Sequence, residues 1–317
     1  MEKRKTCDLC KNTSFVTVYK EMEDRLHHVK GASFSILRCE ICDLHTTDPF
    51  LSTEEDFKTY YPGHYYSYNP PAKKDVTTKI ALFLYNLFYN PKERMNPFRY
   101  LLFPVSYFVR GTKIIKNGKL LDIGCGAGFF LRRMKDLGMM PYGIELGKQG
   151  FEACQKMGIR IWNTPVFKAG ITSDYFDVIT INSVLEHIAE VHETLKACHC
   201  ILKKDGVLII QVPNKDGFSA KYFKQNWAEW DIPRHITHFS KKTLVKYLKD
   251  CGFAIKKIKN TGSAFQFTQS LIYKYPKLEK LFKKRIVGLF FIIPVMITNI
   301  LNRPGRIEIY AIKMQKV

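Results

Sequence analysis

From residue 119 onward the chain alternates between two hydrophobic periods. Short apolar runs rich in Ile, Leu and Val occupy residues 119–123, 141–145, 159–162, 176–181, 207–212, 254–259 and 306–313. Runs of this length and composition predict strands. Most are separated by stretches in which apolar residues recur every three or four positions, at 129–137, 148–157, 191–202 and 241–251, which predicts amphipathic helices. Strands alternating with helices define an α/β class fold, a seven-stranded doubly wound (Rossmann-like) sheet. The last run, RIEIYAIK, is not followed by a helical pattern.

The flanking segments are patterned differently. Residues 49–75 place Tyr60, Tyr61, Tyr65, Tyr66 and Tyr68 among prolines and show no period. Residues 79–110 are apolar and aromatic, and Pro91, Pro97 and Pro104 divide them into short predicted helices. A third apolar stretch, 286–301, has 16 uncharged residues. That is short of the ~20 residues a spanning helix needs, and a single crossing would part the last strand from its own sheet. The stretch is expected either to lie in a membrane interface or to pack as a cap over the active site; hydrophobicity alone does not separate the two. Charge adds to the picture. The chain carries a net +21, and residues 241–285 hold 13 Lys and Arg against only Asp250 and Glu279. This excess suits an anionic partner, either an acidic lipid surface or nucleic acid.

Cys7-Asp-Leu-Cys10 and Cys39-Glu-Ile-Cys42 lie within the first 48 residues. Two CxxC pairs so close together predict a Cys₄ site for a structural Zn²⁺, closed because four thiolates leave no open position. His27 and His28 read as loop residues, with a part as substitute ligands as the alternative. The start, MEKRKTCDLC, lacks the apolar stretch of a secretory signal. The nine cysteines then read as thiols and ligands of a cytoplasmic protein, peripheral at the inner face of the membrane if the apolar stretches bind lipid.

The first strand of the sheet runs into Asp122-Ile-Gly124-Cys-Gly126-Ala-Gly128. Glycines at every second position let the backbone turn tightly and approach a ligand at the carboxyl edge of the sheet. A dinucleotide fingerprint G-x-G-x-x-G would need glycine at 129 or 131, where Phe129 and Leu131 stand, so a dinucleotide is disfavoured. Glu145, at the end of the second strand, is placed for a carboxylate to accept a pair of ribose hydroxyls.

Taken together, LLDIGCGAG, GIE, FDVITINSVLEHI and LKKDGVLIIQVPN resemble class I S-adenosylmethionine-dependent methyltransferases, particularly the bacterial branch similar to ubiquinone-biosynthesis enzymes. The resemblance covers residues 117–262 and the last strand. It implies an enzyme with S-adenosylmethionine as cofactor and an antiparallel final strand. It also implies that Gly124, Gly126 and Gly128, opened by Asp122, line the cofactor, that Glu145 holds its ribose, and that Asn182 sits near the methyl. Many relatives carry an acid after the third strand for the adenine. Here that stretch reads NTPVFKAG, and the adenine contact stays unassigned, with Asn163 or a backbone group as substitutes.

Methyl transfer needs a positioned nucleophile and often a base, for which histidine is suited near neutral pH. His187 follows the fourth strand in SVLEHI, and His235 follows the fifth in WAEWDIPRHITHFS. The second motif also looks like the corresponding segment of sugar C-methyltransferases that carry an N-terminal zinc module. His235 is read as base or substrate ligand, and Glu186-His187 as a catalytic or site-shaping pair. The expected organisation is a zinc ribbon at 1–48, a tyrosine-rich and apolar cap at 49–116, a methyltransferase core at 117–262 plus 304–317, and a basic, apolar insertion at 263–303. The expected substrate is a small molecule: a sugar, a lipid-linked glycan or a lipid intermediate. Two alternatives are an RNA methyltransferase and a non-catalytic zinc-ribbon binding protein. The first is disfavoured because Asn182-Ser-Val-Leu replaces the Asn/Asp-Pro-Pro-aromatic motif that stacks a flipped base.

Overall fold

A computed structural model describes residues 1–61, 76–283 and 285–314; Tyr65, Tyr66 and Tyr68 of the tyrosine-rich segment lie outside the described residues. Its strands are β1 (Phe15–Met22), β2 (Phe34–Cys39), β3 (His45–Asp48), β4 (Lys119–Ile123), β5 (Met140–Ile144), β6 (Arg160–Trp162), β7 (Phe176–Asn182), β8 (Leu202–Pro213), β9 (Thr237–His238), β10 (Phe253–Thr261) and β11 (Arg306–Lys313). Seven of them form one sheet in the order β10-β11-β8-β7-β4-β5-β6. The pairs among β4 to β8 are parallel, whereas β11 runs antiparallel to both neighbours. Strand order reverses beside β4, so the carboxyl ends of β4 and β7 open onto the crevice where such sheets bind ligands.

The alternation along each strand assigns its residues to two cores. Leu121, Ile123, Ile179, Ile181, Leu208 and Ile210 enter one, while Leu120, Val178, Val207 and Ile209 enter the other. Helix Phe129–Asp136 buries Phe130, Leu131 and Met134 on the second face. Helix Lys241–Asp250 buries Leu244, Tyr247 and Leu248 on the first. Period 2 within strands and 3.6 within helices thus accounts for both layers. One strand is longer than its apolar run suggests. β8 starts at Leu202, directly after helix Val191–Ile201, because Leu202 pairs with Phe176 and Lys203 Nζ donates to Asp177 at 2.8 Å.

A second, antiparallel sheet has the order β1-β2-β3-β9. Its fourth strand comes from the loop after β8. The N-terminal module is therefore stitched directly into the WDIPRHITHF segment by the pairs His45–His238 and Thr46–Thr237.

Both apolar segments reach edge strand β10. The first forms helices Val76–Tyr89 and Pro97–Leu101 and a 3₁₀ turn Phe103–Phe108. Pro97 starts a helix rather than breaking one: Asn96 caps it by accepting from the Phe98 N–H, and proline at the first position loses no hydrogen bond. Lys259 on β10 donates to Tyr89 Oη at 3.1 Å and to the Ser106 carbonyl at 2.6 Å. The next residue, Asn260, donates to the Asn299 carbonyl of the other segment at 2.9 Å. That segment forms helices Arg285–Phe290 and Ile292–Ile300. Its inner face buries Val295, Thr298 and Asn299, while Phe290, Ile293, Ile297 and Ile300 are exposed. The stretch packs on the protein through one face and leaves the other bare. No described helix is long and apolar enough to cross a membrane.

Candidate active site

β4 delivers the glycine loop to the carboxyl edge of the sheet. Gly124, Gly126 and Gly128 all have positive φ, at 69°, 54° and 78°, a region that costs most L-residues roughly 1–2 kcal/mol. Space is equally restrictive: a Cβ on Gly124 would stand 2.4 Å from Val184, and one on Gly128 would stand 2.5 Å from Met157 and 2.9 Å from Cys154. Glu145, just past β5, is buried and clasps the loop. One carboxylate oxygen accepts from the Gly126 N–H at 2.8 Å and the other from the Gly147 N–H at 2.7 Å. Burial pushes the Glu145 carboxyl up, and these N–H donors counter it in part. Asn163 turns its amide back onto the Glu145 and Leu146 carbonyls at 2.7 and 2.9 Å. Asp122 belongs to the sheet more than to the loop: its Oδ1 accepts from Arg110 and, at 2.6 Å, from Thr180. Arg110 was not singled out from the sequence, because nothing local pairs it with a strand 12 residues away.

At the end of β7, Ser183 takes φ 54° and bends the chain into the short turn Leu185–His187. Among the described residues, Asn182 Oδ1 is buried without a hydrogen-bond partner, and so are both carboxylate oxygens of Glu186. Burial drives the Glu186 carboxyl up to about 8, with Glu229 and Asp231 pushing the same way against Arg306. The turn and the WDIPRHITHF loop meet: Ile236 N–H donates to the Glu186 carbonyl at 2.7 Å, and the His187 and His235 rings stand edge to face at 4.5 Å. The two sequence-predicted histidines are thus one cluster. His235 Nδ1 lies 2.8 Å from the Glu229 carbonyl, and His187 Nδ1 lies 3.0 Å from the Arg234 carbonyl and 2.8 Å from Tyr61 Oη. A carbonyl only accepts, so the Glu229 contact puts a proton on His235 Nδ1, whose Nε2 stands 3.7 Å from Asp231 Oδ2, while His187 Nδ1 is shared between the Arg234 carbonyl and the Tyr61 hydroxyl. Burial lowers both histidines, so both are neutral at pH 7.

The N-terminal module builds the floor of this cluster. Thr47 Oγ1 donates to the His235 carbonyl at 2.6 Å and accepts from His238 Nε2 at 3.0 Å. His238 is therefore a structural tie, and Ser240 and Thr243 make the cap of the helix that follows. Arg234 is fully buried and binds Asp24 through two nitrogens at 2.8 and 3.1 Å and Asp231 at 2.6 Å. The partnership with Asp24 spans 210 residues and left no sequence signal.

The four predicted cysteines come together with ligand atoms within 4.8 Å of one another. Sulfur separations of 3.4 Å (Cys7–Cys42) and 3.5 Å (Cys10–Cys39) approach the ~3.8 Å that a tetrahedron with Zn–S near 2.3 Å requires. The two knuckles are alike. Lys11 N–H donates to the Cys7 carbonyl and Asp43 N–H to the Cys39 carbonyl, with φ 61° and 62° at Lys11 and Asp43. Burial pushes the Cys39 thiol up, but the N–H groups of Cys42 and Ile41 outweigh it and bring it down to about 7, toward the thiolate a metal needs. Burial holds Cys7 and Cys42 up, so a cation is required to draw the set into thiolate form. His27 and His28 are not in this group.

Residues 98–258 match the family described as a methyltransferase domain. The chain belongs to the class I S-adenosylmethionine-dependent methyltransferases, and the non-catalytic alternative falls. Among curated proteins it is similar to a ubiquinone biosynthesis O-methyltransferase of Pelagibacter ubique, 28% identical over 201 residues, covering 55% of this chain and 82% of that protein. It is also similar to the enzyme of that name from Glaesserella parasuis, 27% identical over 138 residues, which cover 40% of this chain and 56% of that one. The match thus spans little more than half of the latter protein. An uncharacterized protein of Methanocaldococcus jannaschii is 26% identical over 152 residues, with 48% and 71% covered. Among solved structures, an S-adenosylmethionine-dependent methyltransferase from Archaeoglobus fulgidus is 20% identical, with 73% of this chain and 99% of that one covered and a TM-score of 0.45.

Proposed function

We propose that this methyltransferase acts on a small-molecule acceptor held over Glu186, His187 and His235, a sugar, lipid-linked glycan or lipid intermediate. What supports the reading is a glycine loop packed through Gly124 on Val184, directly before the turn that carries an unpartnered buried carboxyl and one of two clustered histidines. The glycine loop and Glu145 hold S-adenosylmethionine: the carboxylate already binds two N–H groups and keeps lone pairs for ribose hydroxyls. Asn182 Oδ1, buried and unpartnered, faces the same need for a ligand donor. Asp122 sets the base of the loop through Arg110 and Thr180. When the cofactor is bound it supplies an electrophilic methyl. Transfer of that methyl would release the acceptor's proton, and the imidazoles of His235 and His187 are the groups placed to take it. The four cysteines hold a structural Zn²⁺ that fixes the floor beneath them.

His235→Ala is expected to bind S-adenosylmethionine as wild type does in calorimetry and to lose turnover about 10²-fold or more. Near-normal methyl transfer from radiolabelled cofactor into a cell extract separated into lipid, glycan and RNA pools would dismiss the residue. The pool that takes the label decides the substrate class. Gly128→Val combines a strained φ with an overlap on Met157. It is expected to weaken cofactor binding by about 10²-fold, from roughly 3 kcal/mol of strain and overpacking.

The lipid-linked variant of this reading rests on the bare apolar faces beside β10. Phe83, Phe98, Leu101, Phe290, Ile293 and Ile300 are all exposed, and Lys256 and Lys257 lie exposed on β10, the strand that both segments reach. Apolar side chains rimmed by lysines fit an anionic lipid surface, in which the protein lies without spanning it. Co-sedimentation with phosphatidylglycerol vesicles, weakened by salt and absent with neutral vesicles, is the expected result. Equal recovery in the supernatant with and without vesicles would remove the membrane from the reading.

A further inference from the structure

We infer that Glu186, His187 and His235 form a second metal site, separate from the four cysteines, that takes a divalent transition-metal ion. Ligand atoms of the three side chains lie within 4.8 Å of one another. Only a modest contraction separates this from the spacing of N and O ligands at 2.0–2.2 Å from an ion. The rings are anchored as in a ligand set. Nδ1 of His235 lies on the Glu229 carbonyl and Nδ1 of His187 on the Arg234 carbonyl and Tyr61 Oη. Such contacts fix ring orientation, as the outer contacts of metal-bound histidines do.

The carboxyl supplies the second argument. Glu186 is 1% exposed, and neither of its oxygens has a hydrogen-bond partner among the described residues. A buried carboxyl with no donor is costly. Arg306 acts on Glu186 through its charge and donates to Glu229 at 2.8 and 3.0 Å and to Ser183 at 2.8 Å. The Glu186 oxygens are left without a hydrogen-bond donor among the described residues, beside two imidazoles. A divalent ion is the partner that satisfies all three at once. His187 is only partly buried, which gives the ion a way in. Two imidazoles and one carboxylate suit Fe²⁺, Mn²⁺, Co²⁺ or Zn²⁺ and leave coordination positions open.

The inference rests on the acceptor side proposed above and sharpens it. With an ion bound, the two histidines act as ligands, and the open positions receive an oxygen of the acceptor, whose ionisation the ion favours. The acceptor would then be an oxygen-bearing chelator, such as a diol or hydroxy-carbonyl compound.

The test is a cobalt count on the full chain. The protein, stripped of metal and titrated with Co²⁺ alone, should bind two equivalents. One should show strong sulfur-to-cobalt absorption, and the other only the weak visible bands of nitrogen and oxygen ligands. Glu186→Gln and His235→Ala should each lose the second equivalent and keep the first, with S-adenosylmethionine binding retained as the check of folding. A wild-type count of one equivalent with a purely thiolate spectrum overturns the site, whatever the variants do. So does a second equivalent that survives both substitutions. One equivalent together with methyl transfer abolished by His235→Ala would leave the proposed function standing and remove the metal. Two equivalents with full activity in His235→Ala would do the reverse.

Discussion

Replacing Arg234 by Met is expected to lower the melting temperature by on the order of 10 °C and to abolish methyl transfer. The side chain is fully buried and holds Asp24, also fully buried, through two hydrogen bonds, together with Asp231. Methionine keeps most of the volume but removes the cation bonded to the buried Asp24 carboxylate, leaving it the N–H groups of Leu26 and His27 at 3.1 Å. Breaking a buried pair in this one-sided way costs about 3–5 kcal/mol, and each kcal/mol is worth about 2–4 °C in a chain of this class. The sign of the pH dependence follows. Burial raises Asp24, but the Arg234 hydrogen bonds and charge outweigh it and hold the carboxyl below its ordinary value. In the wild type this stability is present above the unfolded-state pKa of about 3.9 and is lost as pH falls through the lower folded value. In Arg234→Met the carboxyl left without its cation favours its neutral form, so the deficit is greatest near neutral pH and shrinks in acid. Adding Asp24→Asn removes the unpaired charge and should return part of the loss. Thermal melts of the two single variants and the double variant measure the coupling. A loss below ~1 kcal/mol for Arg234→Met would show that the pair does not hold the modules together.

The second large effect is expected from Cys39→Ser, which should remove the thiolate-bound metal and cut turnover about 10²-fold while cofactor affinity stays within a few-fold. Cys39 closes β2, whose partner β3 carries Thr46 and Thr47. Thr46 Oγ1 donates to the Ile236 carbonyl at 2.9 Å and Thr47 N–H to the same carbonyl at 3.0 Å, one residue beyond His235. Releasing the knuckle frees the strand on which the histidine loop is templated, and a displacement of about 1 Å at a catalytic group is worth about 10²-fold. The glycine loop and Glu145 belong to the other sheet and should keep their shape. Steady-state kinetics, zinc analysis and calorimetry with S-adenosylmethionine separate the outcomes. Metal loss with unchanged turnover would make the module a bystander. Parallel loss of cofactor binding would mean global unfolding.

Much of the core was legible because its signals are local. Six of the seven apolar runs and the helical stretches between them appear within one or two residues of the expected places, since a strand or helix declares its buried face every few positions. The antiparallel β11 came from the family resemblance. The glycine positions needed only the short-range demand for positive φ, and the knuckles only the CxxC spacing. Other features resisted for identifiable reasons. β8 extends back through Lys203-Lys204-Asp205, where polar residues hide a strand that pairs only with β7. β9 is two residues long, below the length at which any period shows, and exists because β3 offers it an edge. The segment at 286–301 read equally as cap and as interface helix. In the structure the segment packs against β10, with Val295 turned inward and Ile293 and Ile297 exposed.

The sequence by itself determined the class of fold and singled out the glycine loop, the four cysteines and the two histidines, each of which is written in spacings of a few residues. Tertiary structure alone decided that Glu186, His187 and His235 share one cluster, that Arg234 answers Asp24 across 210 residues, and that the cysteine module carries the strand beside the histidine loop. The physical reason is that such contacts have no period. They arise where a buried charge or an unpaired strand edge must find a partner, and which partner is within reach depends on how the two sheets pack.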